Sequence, residues 1–149
     1  MITNNIIYKV QTADHNEVLG HLEKCDENFT PRLSKGRDIA AYSQKIVKNS
    51  VTFEAWAGTE LIGLVAAYFN DEKKITGFIT NVSTLKEYFG KGIATQLMKN
   101  CISYGKEQQF DAITLEVAKN NNSAIQLYKK YDFLPVAEKG HMVIMKKDL

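Results

Sequence analysis

The segment EYFGKGIATQLMKN, residues 87–100, decides how the rest of this chain is interpreted. Gly90 and Gly92 flank a lysine, and an apolar helical pattern follows at once. The start of a helix leaves backbone N–H groups unpaired and carries partial positive charge, and glycine lets a large anion come close to them. The segment therefore predicts a binding site for a phosphate or pyrophosphate group, or else a glycine-rich turn that binds no ligand.

Two common phosphate-binding loops fit this segment poorly. A P-loop has Ser or Thr directly after its Gly-Lys pair, whereas the glycine spacing differs here and Ile93 follows the second glycine. A dinucleotide-binding loop has a third glycine where Thr95 stands, and it opens a parallel sheet. Here three strands predicted to be antiparallel precede the loop, so both interpretations weaken.

The helices and strands around this segment are predicted from hydrophobic periodicity. The helix after the glycines has one apolar stripe, formed by Ile93, Ala94, Leu97, Met98, Cys101 and Ile102. Upstream, the patterns predict a strand (5–11), two helices (13–29 and 37–49) separated by a break at 30–36, and a three-stranded antiparallel meander (50–58, 59–71 and 73–85). Downstream they predict a strand (110–118), a short helix (120–131) and two closing strands (133–139 and 141–149). The succession of strand, loop, helix and strand predicts that the two strands beside the loop are parallel neighbours.

Two blocks of the sequence resemble the GNAT superfamily of acetyl-CoA-dependent N-acetyltransferases. The string FGKGIA, residues 89–94, is similar to the family's pyrophosphate loop: Gly92 and Ala94 match, and Phe89 stands where the family has Arg or Gln. The string LEVAKNNNSAIQLYKKYDF, residues 115–133, is similar to the strand, Asn-rich turn and helix of a second family block, with Asp132 in place of a glycine. The order of the predicted elements before the loop agrees as well.

The resemblance implies a single α/β domain over residues 1–149 with the GNAT fold, a mixed and mostly antiparallel sheet of about six to seven strands flanked by about four helices. Acetyl-CoA is the implied cosubstrate, held in a cleft where two parallel strands splay. Its acetyl group passes directly to a primary amine, with no metal and no acyl-enzyme. The positions implied to contact acetyl-CoA are Val82, Thr84, Phe89, Gly90, Lys91, Gly92, Ile93, Ala94, Thr95 and Asn121, with a helix-capping role as the alternative for the last.

The resemblance also implies catalytic residues. Tyr128 matches the family tyrosine that faces the coenzyme sulfur, which implies a general acid for the leaving thiolate; the alternative is a tyrosine of the core. Glu116 is the candidate base, acting through a water molecule, with a solvent-facing strand carboxylate as its alternative. Asn81 and Ser83 alternate with Val82 on one predicted strand, so they share a face and are further candidates for holding that water beside the acceptor.

The acceptor pocket of the family is built partly from the connection between the first two helices, which here contains Phe29 and Arg32. An arginine binds carboxylate or phosphate with two hydrogen bonds, so a polar or anionic acceptor is expected; an ordinary solvated loop is the alternative. The expected acceptor is a small-molecule amine, with a nucleotide-linked amino sugar as one candidate. The rival hypotheses are the N-terminal amine of a protein and, in another class, a non-catalytic sensor that binds acyl-CoA.

The composition predicts a single cytoplasmic domain. A chain of 149 residues with a formal net charge of +2 gives no reason to expect nucleic acid or a membrane as a partner, and the N-terminal segment lacks a secretory pattern. Cys25 and Cys101 fall in helical patterns and are expected to be reduced packing residues, and the three histidines form no metal-binding pattern. A homodimer is one expected assembly, with the C-terminal strand contributing to it.

Overall fold

A computed structural model of the chain describes residues 5–29 and 31–149. Thr30, where the predicted break begins, lies outside the described residues. The helices and strands, in chain order, are β1 (Ile6–Val10), α1 (His15–Cys25), α2 (Leu33–Gly36), α3 (Ile39–Asn49), β2 (Val51–Ala57), β3 (Glu60–Tyr68), β4 (Thr76–Thr84), α4 (Ile93–Glu107), β5 (Ala112–Ala118), α5 (Asn122–Lys130), β6 (Leu134–Lys139) and β7 (Met142–Asp148).

The sheet has seven strands in the order β1-β2-β3-β4-β5-β7-β6. β4 and β5 pair in parallel, and the other neighbouring strands pair antiparallel. The expected mixed, mostly antiparallel sheet is therefore confirmed, with β2, β3 and β4 as the predicted meander. The parallel pair flanks the crossover through the glycine loop and α4, as the succession of elements predicts.

Helices cover both faces of the central strands. On one face, α1 and α3 contribute Val18, Leu22 and Ile46 to a buried cluster with residues of β2 and β3. On the other face, α4 and α5 contribute to a larger cluster, in which Leu97 and Met98 of the predicted α4 stripe are fully buried. Because both faces are covered, β2 and β3 are buried along almost their whole length.

Glu54 is a fully buried carboxylate on β2 that fixes the connection between β1 and α1. It accepts hydrogen bonds from the backbone N–H groups of Thr12 and Ala13 at 2.9 and 3.1 Å, and from the side chains of Thr12, Thr52 and Trp56. Burial raises the pKa of this carboxyl, but the hydrogen bonds outweigh burial and the net pKa lies below its ordinary value. The ionised carboxylate is therefore a structural anchor for the start of α1.

The β4 strand changes its pairing with both neighbouring strands midway, and this change opens a gap between β4 and β5. Its parallel pairing with β5 ends at Ile79 and Leu115, so the two strands part beyond these residues. At the same point the antiparallel pairing with β3 skips Thr80, since Ala66 pairs with Asn81 and Ala67 with Ile79. A bulge of this kind bends the strand and redirects the side chains that follow it.

Two expectations about local structure are corrected. Leu33–Gly36 forms one turn of helix, α2, inside the segment where the sequence predicts a break. Asp26 holds this turn in place, because its carboxylate accepts from both the backbone N–H and the hydroxyl of Ser34, each at 2.7 Å. The C-terminal strand β7 is enclosed between β5 and β6, so the free edge of the sheet at that end is β6.

Cys25 and Cys101 are free and buried, in agreement with their interpretation as packing residues. Among the helices of the described residues, none combines the length and the apolar character that crossing a membrane requires.

Candidate active site

One cavity of about 960 Å³ opens where β4 and β5 part. Its walls come from the last residues of both strands, the glycine loop, α5 and the connection from α1 to α3. Since α4 and α5 lie on one face of the sheet and α1 and α3 on the other, the cavity joins the two faces through the gap between the strands. A ligand lying through this gap can meet a second ligand that enters from the opposite face.

The glycine loop enters this cavity as the sequence predicts. Gly90 and Gly92 both adopt left-handed backbone conformations with φ of 76°, and Gly92 is the N-cap of α4. Side chains cap α1, α3 and α5, whereas no side chain of the described residues caps α4. The first N–H groups of α4, at Ile93 to Thr95, have no partner within the helix, so they are free to bind an anion.

The structure brings most of the predicted cofactor positions together around the cavity. Lys91 is the exception, because its side chain is exposed and is not part of the cavity lining. Phe89 lines the cavity while 54% of its surface stays exposed, so its ring can pack on a ligand but supplies no charge. The predicted positions that line the cavity are Val82, Thr84, Phe89, Gly90, Gly92, Ile93, Ala94, Thr95 and Asn121.

Tyr128 lies on α5 with its side chain in the cavity wall, and only 8% of its surface is exposed. Its ring packs near Phe133, with 6.2 Å between the ring centroids. Burial raises the pKa of its hydroxyl to about 12, so the hydroxyl keeps its proton at neutral pH. This is the protonation state that a general acid needs before a thiolate leaves.

Tyr128 is held by the end of its helix. The backbone N–H of Phe133 donates to the Tyr128 carbonyl at 3.1 Å, and Asp132 between α5 and β6 has a φ of 67°. The left-handed conformation explains why a glycine is usual at this position in the family that the sequence resembles, and aspartate is one of the few other residues that tolerate it.

Glu116 lies on β5 beyond the last residue that pairs with β4, and it lines the cavity. Its side chain is 30% exposed, and Lys139 Nζ on β6 lies 3.9 Å from its carboxylate. The carboxylate is therefore open to water from the cavity, which is the requirement for a base that acts through a bound water molecule. Its catalytic role stays a prediction.

Asn81 and Ser83 on β4 line the cavity. Ser83 also contacts His21, which was not predicted from the sequence as part of the site. Ser83 Oγ lies 2.8 Å from Asn81 Oδ1 and 2.9 Å from Nε2 of His21, a fully packed histidine on α1. Nδ1 of His21 lies 3.0 Å from the Leu61 carbonyl, which can only accept, so Nδ1 carries the proton. Burial lowers the pKa of His21 to about 4, so the ring is neutral at pH 7.

Residues of the connection from α1 to α3 form the rest of the wall. Phe29 and Arg32 line the cavity as expected, but the Arg32 guanidinium lies 3.0 Å from the Glu27 carboxylate and is already paired. Arg37 and Tyr42 also line the cavity and were not singled out from the sequence. Tyr42 could have been found from the sequence, because it is an aromatic residue on the buried stripe of α3. Nothing in the local sequence distinguishes Arg37.

Asn121 serves as the N-cap of α5, since its side chain accepts from the Ala124 backbone N–H at 3.3 Å. Asn121 thus has the capping role given as its alternative; it also lines the cavity, and its contact with acetyl-CoA stays a prediction. Within the part of the chain that the structure describes, no group of three or more His, Cys, Asp or Glu side chains is placed to hold a metal ion.

These features define a class of protein: an α/β domain that presents an uncapped helix start, splayed parallel strands and a protonated tyrosine to one cavity. Comparisons with known proteins give the family. The model of the acetyltransferase (GNAT) family matches residues 16–133. N-alpha-acetyltransferase 30 of Xenopus laevis is 32% identical over 84 residues, which are 55% of this chain and 31% of that protein. N-alpha-acetyltransferase MAK3 of Arabidopsis thaliana is 26% identical over 97 residues, 64% of this chain and 51% of that protein.

The fold is shared with solved structures of the same kind. NAA60 of Arabidopsis thaliana, in a crystal structure with acetyl-CoA, superposes with a TM-score of 0.76 at 21% identity, covering 97% of this chain and 100% of that chain. The segments that match this chain cover between 27% and 51% of the full length of each curated relative; the largest share, 51%, is that of MAK3. The chain belongs to the GNAT acetyltransferase family, whose enzymes use acetyl-CoA as cosubstrate. The family resemblance that the sequence carries is confirmed, together with the expected fold.

Proposed function

We propose that this protein transfers the acetyl group of acetyl-CoA directly to a primary amine within a ternary complex. The observation that carries the proposal is the single cavity that joins the uncapped start of α4, the Tyr128 hydroxyl and the wall formed by Phe29 and Tyr42. One continuous space lets the thioester and the amine meet without a covalent enzyme intermediate.

In the proposed reaction, Tyr128 is the acid and water beside Glu116 takes up the proton of the amine. The amine nitrogen forms a bond to the thioester carbon, the carbon–sulfur bond breaks, and the leaving thiolate takes the Tyr128 proton. The proton that the amine gives up passes to water beside Glu116, which lines the same cavity. Deprotonating an α-amine at pH 7 costs about 1.4 kcal/mol and deprotonating a lysine amine about 4.6 kcal/mol, so a partly exposed carboxylate suits an acceptor of low pKa.

The proposed acceptor is a small-molecule amine, and a nucleotide-linked amino sugar is the first candidate to test. The support is the polar and cationic character of the acceptor wall, which includes Asn81 and Arg37 beside Phe29. Such a wall offers hydrogen bonds to hydroxyl and phosphate groups and an apolar face for a ring.

A second candidate acceptor is the N-terminal amine of a protein. The specific observation in its favour is that two of the matched relatives carry the name N-alpha-acetyltransferase. An N-terminal α-amine also meets the requirement for an acceptor of low pKa.

A thiol-release assay with acetyl-CoA over four acceptor sets tests these proposals: amino sugars with and without a linked nucleotide, polyamines, amino acids, and peptides with free N-termini. The expected result is turnover with the amino-sugar set. Turnover confined to peptides would establish the second candidate, and acetyl-CoA binding without turnover on any acceptor would establish the non-catalytic sensor instead.

Two further expectations extend this proposal. We infer a homodimer in which the free edge strand β6 takes part, since Leu134 and Val136 on it are 62% and 56% exposed. Light scattering at micromolar concentration checks it, and a monomer would rule it out. A reducing cytoplasm is the proposed location, because both cysteines are buried thiols; fractionation of cells that express the protein tests this.

A further inference from the structure

Arg37 is placed on the acceptor wall by a chain of contacts that ends on the sheet. Its guanidinium carbon lies 4.1 Å from the centroid of the Tyr42 ring. Tyr42 is only 5% exposed, and its hydroxyl donates to the Thr80 carbonyl at 2.7 Å. Thr80 is the residue that the β3–β4 pairing skips, directly after the last pair of β4 with β5. Arg37 is therefore held at the point where the cavity opens.

No acidic side chain of the described residues forms an ion pair with Arg37. The neighbouring Arg32, by contrast, is paired with Glu27 at 3.0 Å. Glu116 is the only acidic residue among the described residues that line the cavity, and it lies on β5 with Lys139 beside it. The wall formed by α3 and its preceding connection thus carries positive charge that is available to a ligand.

The geometry leaves the donors of Arg37 free. The Arg37 guanidinium carbon lies over the Tyr42 ring, and contact with a ring does not use up the N–H donors at the edge of a guanidinium. In this arrangement an arginine binds a carboxylate or a phosphate with two parallel hydrogen bonds. The residue is exposed at the mouth of the cavity, so an anion reaches it without a cost for burying an unpaired charge.

We infer that Arg37, stacked on Tyr42, forms a subsite for an anionic group of the acceptor, so the substrate is a small amine that also bears a carboxylate or a phosphate. The inference rests on the proposed function and specifies its substrate class. Arg37 is a binding residue for the acceptor in this account and takes no part in acetyl-CoA binding.

The test uses pairs of acceptors that differ in the anionic group: β-alanine against β-alaninamide for a carboxylate, and glucosamine 6-phosphate against glucosamine for a phosphate. Each pair is assayed with the native protein and with Arg37→Met, which keeps an apolar stem over Tyr42 and removes the charge. The ratio between the two proteins cancels the different amine pKa values within a pair. For the favoured anion, the expected rise in KM is about tenfold for the anionic member and within twofold for the neutral member.

Two control variants separate the inference from a purely structural effect. Arg37→Lys keeps the charge and should recover part of the preference for the anionic acceptor. Lys35→Gln removes a neighbouring exposed cation that is not among the residues lining the cavity, so it should leave the preference unchanged. The KM of acetyl-CoA should stay constant in all three variants. Added salt should raise the KM of the anionic acceptor in the native protein and in the two control variants, which keep a charge at position 37, but not in Arg37→Met.

A binding measurement keeps the inference testable without turnover. Calorimetric titration of glucosamine 6-phosphate and of β-alanine into the protein–CoA complex should show binding of at least one of them that Arg37→Met weakens about tenfold. Equal effects of Arg37→Met on charged and neutral acceptors, or binding of neither anionic probe, would overturn the inference even if neutral amines are acetylated. Acetylation of acidic peptides alone would also overturn it. Failure of all acceptors in the thiol assay, with Arg37-dependent binding of an anionic probe, would count against the proposed activity only.

Discussion

At the scale of the residue, the proposed chemistry depends on one buried hydroxyl. Tyr128 lines the cavity, and burial holds its pKa near 12, far above the pH at which cells operate. A hydroxyl with so high a pKa stays protonated at neutral pH, so it has a proton to donate as charge develops on sulfur.

Replacing Tyr128 with Phe removes the hydroxyl and keeps the ring packed against Phe133. We expect kcat to fall about 100-fold, because general acid catalysis typically contributes at least that factor. Affinity for acetyl-CoA, measured by calorimetry, should change by less than about twofold, since the ring contacts remain. Tyr104→Phe on α4, in the aromatic group with Phe53 and Phe69, is the matched control and should keep normal turnover. Undiminished kcat in Tyr128→Phe would exclude Tyr128 as the acid.

His21 couples the stability of the fold to pH. Burial lowers its folded pKa to about 4 from the ordinary value of 6.5, so the unfolded chain takes up a proton first as the pH falls. The resulting stabilisation is complete above pH 6.5 and is lost as the pH falls toward 4. We expect the free energy of unfolding in urea to drop by about 2 kcal/mol from this residue between pH 7 and pH 5.

The same measurement on His21→Gln should show a lower stability at pH 7 and should lack this drop. His141→Gln, in the exposed turn between β6 and β7, is the control and should keep the slope of the native protein. An equal slope in His21→Gln and the native protein would mean that the pH dependence has another origin. The hydrogen-bonded Glu54, whose pKa is lowered, contributes only at more acidic pH, where its carboxylate takes up a proton.

At the scale of the element, the start of α4 is set by backbone conformation rather than by side-chain capping. Gly92 and Gly90 occupy the left-handed region, and a Cβ built on either meets no atom within 4 Å. Substitution at these positions is therefore costly because of the backbone and not because of crowding. The opposite holds at Gly63 on β3, where a Cβ would come within 2.7 Å of the Ile93 side chain and push on the first turn of α4.

Gly92→Ala should weaken acetyl-CoA binding about tenfold, because left-handed strain of about 1–2 kcal/mol is relieved by moving the N–H groups that bind the pyrophosphate. Gly58→Ala provides a matched control: Gly58 also has a positive φ, 59°, and open space around its Cβ position, but it lies in the turn between β2 and β3. Both variants should lose similar stability to urea, and only Gly92→Ala should raise the dissociation constant in calorimetry. A normal dissociation constant for Gly92→Ala would argue that the pyrophosphate binds elsewhere.

At the scale of the whole molecule, the cavity joins elements that are distant in the sequence. Residues of β4, β5, the glycine loop, α5 and the connection from α1 to α3 all contribute to its wall. A ligand that binds across these elements links them in the folded state and has no comparable site in the unfolded chain.

Acetyl-CoA at about 100 times its dissociation constant should therefore raise the free energy of unfolding by about 2.7 kcal/mol. Urea unfolding with and without the ligand measures this increase directly. Acetyl phosphate, which has an acetyl group but no pantetheine or nucleotide, is the control and should add far less. Absence of any stabilisation by acetyl-CoA at millimolar concentration would be incompatible with the proposed cosubstrate site.

The elements that depend on local pattern can be predicted from the amino-acid sequence. The stripe from Ile93 to Ile102 predicts α4, and the turn residues between three alternating segments predict the meander, because periodicity and turn chemistry act between near neighbours. Gly90 and Gly92 ahead of that stripe predict the phosphate-binding start of the helix for the same reason. The family resemblance adds Tyr128 and most of the cofactor positions, since these follow from short motifs with fixed spacing.

How these elements form a site depends on contacts between distant parts of the chain. The bulge at Thr80 and the parting of β4 from β5 result from pairing with strands on both sides, and no single segment encodes them. His21 bonds to Ser83 across 62 positions of the sequence, and Tyr42, which holds Arg37, bonds to Thr80 across 38 positions, so neither contact leaves a local pattern. Lys91 shows the converse, because a cation in the matching motif is exposed and is not among the residues that line the cavity. Helices and strands follow from interactions between residues that are close in the sequence, whereas the direction and partners of a side chain depend on the whole fold.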